Sequence, residues 1–158
     1  MQTLRIVIAT TLLAAVAVAQ QPAAPATKIV ATSSEIMALI AKAKSERKAD
    51  QPTFAQPLLA LGSYGANLEY RAVVGPAAVH DKYAEFFYVV DGSATLMTGG
   101  KLTNEKRTGD NMSGTGIEGG SSRPVAKGDF VIVPESTPHW FSTINGTIVL
   151  MSFRLPRP

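Results

Sequence analysis

Two hydrophobic rhythms divide the chain. Ile36, Met37, Leu39, Ile40 and Ala43 fall at spacings that leave one apolar face on an α-helix. Thr32-Ser33-Ser34-Glu35, just before them, has the form of a capping box, in which a hydroxyl takes the amide three residues on and the Glu reaches back. The pattern predicts one amphipathic helix over residues 33–50, about four turns long, with the charged run Lys42 to Lys48 as its solvated face. From Pro52 onward the period changes. Short apolar runs alternate with Gly, Pro, Asn and Asp, which predicts strands at Leu58–Leu61, Ala66–Val74, Glu85–Asp91, Ser93–Thr98, Arg123–Ala126, Phe130–Val133, His139–Thr143 and Thr147–Arg154. Asp91-Gly92, Lys127-Gly128-Asp129 and Asn145-Gly146 are the expected turns, because Gly beside Asn or Asp tolerates the positive φ of tight hairpins. About eight short strands favour an all-β barrel or double-sheet sandwich, residues 51–158, behind a single helix.

Two stretches stand outside these rhythms. Residues 1–19 carry one early charge, Arg5, then an apolar run from Ile6 to Val18 that ends in Ala17-Val18-Ala19. The run is short for a bilayer span but suits a secretory signal cut before Gln20. The competing reading is an N-terminal membrane anchor. Residues 20–32 are rich in Pro, Ala and Thr and read as a flexible lead-in. The other exception is residues 99–122, a Gly-rich polar segment expected to be a long loop at the barrel rim, either functional or disordered.

Composition narrows the chemistry. The chain has no cysteine, which excludes disulfides and thiolate catalysis. Its 158 residues carry a net charge of +3, and the Lys and Arg are scattered. A nucleic-acid partner would call for a basic stripe, so none is expected. After signal removal no membrane association is expected either, and the chain would be periplasmic or secreted.

The chain has two histidines, His80 and His139. With Glu85 they form a donor set suited to Mn, Fe, Zn or Ni, and two His plus one carboxylate leave coordination positions open. Taken singly, either histidine reads more simply as a partly buried residue satisfied by backbone.

The residues around them resemble the two sequence motifs of the cupin superfamily. His80, Glu85 and Gly92 match the first motif, with Phe86-Phe87-Tyr88-Val89-Val90 as its strand; Gly128, Pro134 and His139 match the second. The likeness covers roughly residues 58–153. It implies a double-stranded β-helix (cupin, jelly-roll) barrel, a divalent metal held by His80, Glu85 and His139, and frequent homodimers. Three positions depart from the pattern. The first motif usually pairs two histidines one residue apart. Here Ala78 takes the partner's place if His80 is the second, and Lys82 if it is the first. Ser136 replaces a Gly, and Thr143 stands where the second motif ends in Asn.

Residues 80 and 85 are an odd number apart, so both can face the lumen only if a turn or bulge lies at Asp81–Ala84. Phe87, Val89 and Phe141 would share that face, and Trp140 would point away to pack in the core or at the rim. Arg71, Tyr70, Tyr83 and Lys82 are further candidates near the mouth. Arg71 either points inward and grips an anion through its planar fork or lies outward on a solvated strand face, and Lys82 either turns outward or serves as a proton donor. These features predict a metal-dependent enzyme acting on a small polar or carbonyl-bearing molecule, by dioxygenase, isomerase or lyase chemistry. The alternatives are a ligand-binding or sensing barrel without turnover and a barrel whose metal site has decayed.

Overall fold

The computed structural model describes residues 27–157. The signal segment 1–19, its cleavage point and the first part of the lead-in lie outside them. No helix among the described residues is long and apolar enough to cross a membrane.

Helix α1 spans Ser33–Glu46. The capping box forms as the sequence requires: Thr32 Oγ1 accepts from the Glu35 amide at 3.3 Å, and Glu35 accepts from the Thr32 amide at 2.7 Å. The helix stops short of residue 50. Arg47 leaves the helical region at ψ 130°, and its guanidinium donates to the carbonyls of Lys48, Ala49 and Gln51. That knot of bonds turns the chain before Pro52. The apolar face packs as its spacing predicts except at Met37, which lies at the edge of the stripe and is exposed. Ile36, Leu39 and Ile40 pack on Leu68, Tyr70, Val90, Val149 and Met151, on the outer side of the sheet.

The strands are β1 (Thr53–Leu61), β2 (Tyr64–Arg71), β3 (Ala77–His80), β4 (Tyr83–Thr98), β5 (Lys101–Thr103), β6 (Lys106–Thr108), β7 (Asn111–Gly114), β8 (Gly116–Glu118), β9 (Ser121–Ala126), β10 (Phe130–Val133) and β11 (His139–Pro156). The long strands β4 and β11 pair antiparallel along almost their whole length and form the spine of the barrel. β10 and β9 follow one another along the other edge of β4. β11 carries β3 at its start and β2 along its second half.

This spine corrects two expected turns. Asp91-Gly92 and Asn145-Gly146 make no hairpins; both lie within continuous strands, where the β4–β11 register slips between Ile144 and Ile148. Gly92 holds φ 81° and Gly146 φ 73°. The positive φ falls where the β4–β11 register shifts, so these glycines serve an irregularity within paired strands and not a hairpin. Lys127-Gly128-Asp129 is a turn as expected, closed by the Asp129 amide on the Ala126 carbonyl at 3.0 Å.

Residues 99–122 are likewise not one long loop. They fold into the short pairs β6–β7 and β5–β8, and β7 adds to the edge of β3 with Asn111 opposite His80. Strands of three or four mostly polar residues show no apolar alternation, so periodicity could not reveal them.

Inward residues of β4, β9, β10 and β11 fill the lumen. Phe87, Val89, Ala94, Leu96, Val125, Val133, Phe141, Ile148 and Leu150 form one buried cluster.

Candidate metal centre

His80 closes β3, the chain bends at Asp81-Lys82, and β4 begins at Tyr83. The bend resets the alternation, so Tyr83, Glu85 and His80 all face inward despite the odd spacing. On the far side the Pro134–Pro138 segment delivers His139 to the start of β11. Here the Ser136 amide donates to the His80 carbonyl at 2.7 Å and ties the two motifs together. Ser136 adopts φ 56°, which explains why a Gly is favoured at that place in the motif. Ser136→Gly is expected to stabilise the protein by about 0.5–1 kcal/mol, because relief of left-handed strain outweighs the added chain entropy. Urea denaturation measures it; a loss of stability would mean that the 3.5 Å contact of the Ser136 hydroxyl with Asp81 matters more than the strain.

The three expected ligands converge. One donor atom from each of His80, Glu85 and His139 lies within 4.8 Å of the others. Both histidines present Nε2 to the same carboxylate oxygen, Oε2 of Glu85, at 3.4 Å from His80 and 3.2 Å from His139. Their other nitrogens are held from behind. His80 Nδ1 lies 2.7 Å from Oδ1 of Asn111, and His139 Nδ1 lies 3.2 Å from the Thr137 carbonyl. Tyr83 Oη also lies 2.9 Å from His80 Nδ1. In the tautomer in which Nδ1 donates to the Asn111 or Thr137 oxygen, a neutral imidazole turns its Nε2 lone pair inward, the state a metal ligand needs; with Nε2 protonated, the same atoms donate to Glu85 instead. Ser152 donates its hydroxyl to Oε1 of Glu85 at 2.6 Å, which leaves Oε2 for the shared centre. Tyr83 stacks on the His80 ring at 4.5 Å and fixes its plane.

The electrostatics fit a cation. Burial alone would raise the Glu85 carboxyl, yet hydrogen bonds to His139 and His80, the charge of His139 and the Ser152 hydroxyl hold it far below the usual carboxylate range. For His80 burial opposes the charged form, but hydrogen bonds to Glu85 and Asn111 outweigh it and lift the imidazole above its ordinary value. Two imidazoles drawn toward one buried carboxylate mark a place where positive charge is stabilised.

Above the three residues opens a cavity of about 240 Å³, whose wall includes Arg71, Glu69, Tyr83, Arg154, Trp140 and Phe141. Arg71 therefore faces the site as expected, and its guanidinium lies 5.0 Å above the Phe141 ring. Phe87 sits beneath, 5.5 Å from Phe141 and 6.2 Å from His139 between ring centres. Tyr70 is not at the mouth. Alternation along β2 puts it opposite to Arg71, so it packs under α1 on the outer face. Lys82 is exposed in the bend and takes no part in the cavity wall. Ala78 does line the cavity, which settles the register: His80 is the second member of the motif's pair and Ala78 stands in the place of the first. Trp140 packs at the rim as foreseen, but as part of the cavity wall, with its indole N–H on the Gly75 carbonyl at 2.8 Å.

Sequence reasoning missed Asn111, Ser152, Glu69 and Arg154. Ser152 and Arg154 share the inward face of β11 and were within reach of alternation. Asn111 was not, since only the pairing of β7 with β3 brings it to His80.

Solved structures of similar architecture follow from this geometry. The DMSP lyase DddQ from Ruegeria pomeroyi DSS-3 aligns with a TM-score of 0.53 at 18% identity, covering 84% of this chain and 68% of that one. The barrel is of the cupin type. Fe(II) HppE aligns at a TM-score of 0.52 and 15% identity over 69% of this chain, which spans only about half of that protein, 54%. BH2720 from Bacillus halodurans aligns at 0.51 and 17%, covering 69% and 74% of the two chains. At these identities the cupin likeness is one of fold. No protein-family model matches the chain, and no curated protein matches it in sequence.

Proposed function

We propose that this cupin barrel is a metal-dependent enzyme acting on a small polar or carbonyl-bearing molecule, with His80, Glu85 and His139 holding one divalent Mn, Fe, Zn or Ni ion. The observation that carries the reading is the convergence of two Nε2 atoms on a single carboxylate oxygen, each ligand braced from behind by Asn111, Thr137 or Ser152. A bound ion would supply Lewis acidity or a site for dioxygen at its open positions. The chain itself orients the ligands, closes the floor with Phe87 and Phe141, and leaves the reactive side open to the cavity. The similarity in fold to Fe(II) HppE supports keeping iron among the candidate ions. One observation favours a second reading, a binding or sensing barrel without turnover: the lumen below the site is packed, so that ligand space is confined to about 240 Å³.

The test is thermal stability with and without added metal at two pH values. The raised His80 contributes stability that is fully present below its unfolded value, about 6.5, and is lost as pH rises through its higher folded value. The depressed Glu85 contributes stability above about 4.3 that is lost only as pH falls through its low folded value, well outside this window. The metal-free protein should therefore be less stable at pH 8 than at pH 6. Metal binding demands neutral histidines and runs the other way. Added Ni²⁺ or Zn²⁺ should raise Tm more at pH 8 than at pH 6. Equal increments, or none, would count against the metal site.

We further propose export to the periplasm or exterior, supported by the apolar run and small-residue cut point in residues 1–19. Mass spectrometry of protein made in a Gram-negative host should find a chain starting at Gln20; one starting at Met1 would refute it. Homodimerisation belongs to the same proposal. Its support is the apolar surface at Phe130 and Ile132 on β10, exposed at 67% and 60%.

A further inference from the structure

The charges lining the cavity do not cancel once the metal reading is accepted. Glu69 and Arg71, two apart on β2, face the same side and neutralise each other. Nε and Nη2 of Arg71 both donate to one oxygen of Glu69, at 2.9 and 2.6 Å. Glu85 is the single anionic ligand, so a divalent ion there keeps one unit of positive charge. Arg154 remains. It lies opposite Glu85 in the β4–β11 register, lines the cavity, and has no carboxylate partner among the described residues.

Arg154 is also aimed. Its guanidinium sits 5.4 Å above the Tyr83 ring, and Tyr83 stacks in turn on His80 at 4.5 Å. That stack sets the guanidinium one ring away from a metal ligand and restrains it over an aromatic face. A planar fork of this kind matches a carboxylate, and two uncompensated positive charges across a small, part-enclosed space favour an anion over a neutral molecule.

We infer that the substrate is a small organic acid, with its carboxylate held by Arg154 while a second oxygen, hydroxyl or carbonyl, reaches the metal position. The inference deepens the metal-enzyme reading and rests on it. Arg154 is a specificity-determining residue in this scheme, and Arg71, already occupied by Glu69, supports the wall.

The experiment compares acids with their neutral amides. Full-length protein loaded with Ni²⁺, its metal content fixed by elemental analysis, is titrated calorimetrically with lactate and lactamide, then with 3-hydroxypropionate and 3-hydroxypropionamide. At least one acid should bind wild type ten-fold or more tighter than its amide. Arg154→Gln should keep full metal content and reduce that preference to less than about three-fold, and Arg154→Lys should restore part of it. Arg154 is exposed, so neither change threatens folding. Equal binding of acid and amide to wild type, or an undiminished preference in Arg154→Gln, would overturn the inference and leave the metal site standing. A protein that takes up no Ni²⁺ would remove the metal reading instead. In that case the acid preference of the metal-free protein, lost or kept in Arg154→Gln, decides the role of the arginine alone.

Discussion

Replacing His139 with alanine should leave a folded barrel that no longer retains metal through purification. In the proposed site three side chains among the described residues would hold the ion, each through one donor atom. Removing one leaves two, which cannot define a face of an octahedron and do not compete with buffer for the ion. His80→Ala should behave the same way. Glu85→Gln should keep the shape and the Ser152 contact yet lose most of the affinity, because it removes the charge on which both imidazoles converge. The residues behind the ligands grade the effect. Ser152→Ala and Asn111→Ala should each weaken binding roughly 10–100-fold, the usual cost of losing a partner that orients a ligand. Lys82→Ala should change nothing, since that side chain lies exposed in the bend and outside the cavity. Elemental analysis and competition with a coloured chelator measure the whole series. Stoichiometric metal in both histidine variants would show that the ion sits elsewhere.

Gly92→Ala should be the most damaging single-methyl change in the barrel, at roughly 3–5 kcal/mol, a large share of the 5–15 kcal/mol that keeps a domain folded. Two costs combine. The residue holds φ 81°, a conformation that charges any side chain roughly 1–2 kcal/mol. The added Cβ would also run into the carbonyl oxygen of Thr147, backbone of the facing strand at the point where the register slips. Backbone in a paired strand cannot swing aside as a flexible side chain can, so the β4–β11 spine must shift. Gly109 provides the control. Its φ is 59°, but nothing lies within 4 Å of a Cβ built there, so Gly109→Ala should cost only about 1–2 kcal/mol. Chemical denaturation compares the two variants. Equal losses would mean that the close approach of β4 and β11 at Gly92 relaxes freely.

Local chemistry was enough to read the start of α1, because a capping box and an apolar stripe act over one or two turns of chain. It was enough to place strand segments in β1, β2, β4, β9, β10 and β11, since alternation follows directly from which face is buried, but not for β3 or the short strands β5 to β8. The three residues that converge could also be named, because motif spacing puts His80 and His139 at strand ends and Glu85 in the strand between. Tertiary structure alone decided the rest. Whether Asp91-Gly92 turns a hairpin or bends a strand depends on what lies across from it, and Thr147 is 55 residues away in the chain. Tyr70 and Arg71 are adjacent and both plausible at the mouth, yet only one can face in, and the packing of α1 on the outer side assigns that face to Tyr70. Asn111 reaches His80 because the four-residue strand β7, backed by β6, pairs with the edge of β3. Partners recruited across that distance leave no local trace, because their selection is made by the geometry of the closed barrel.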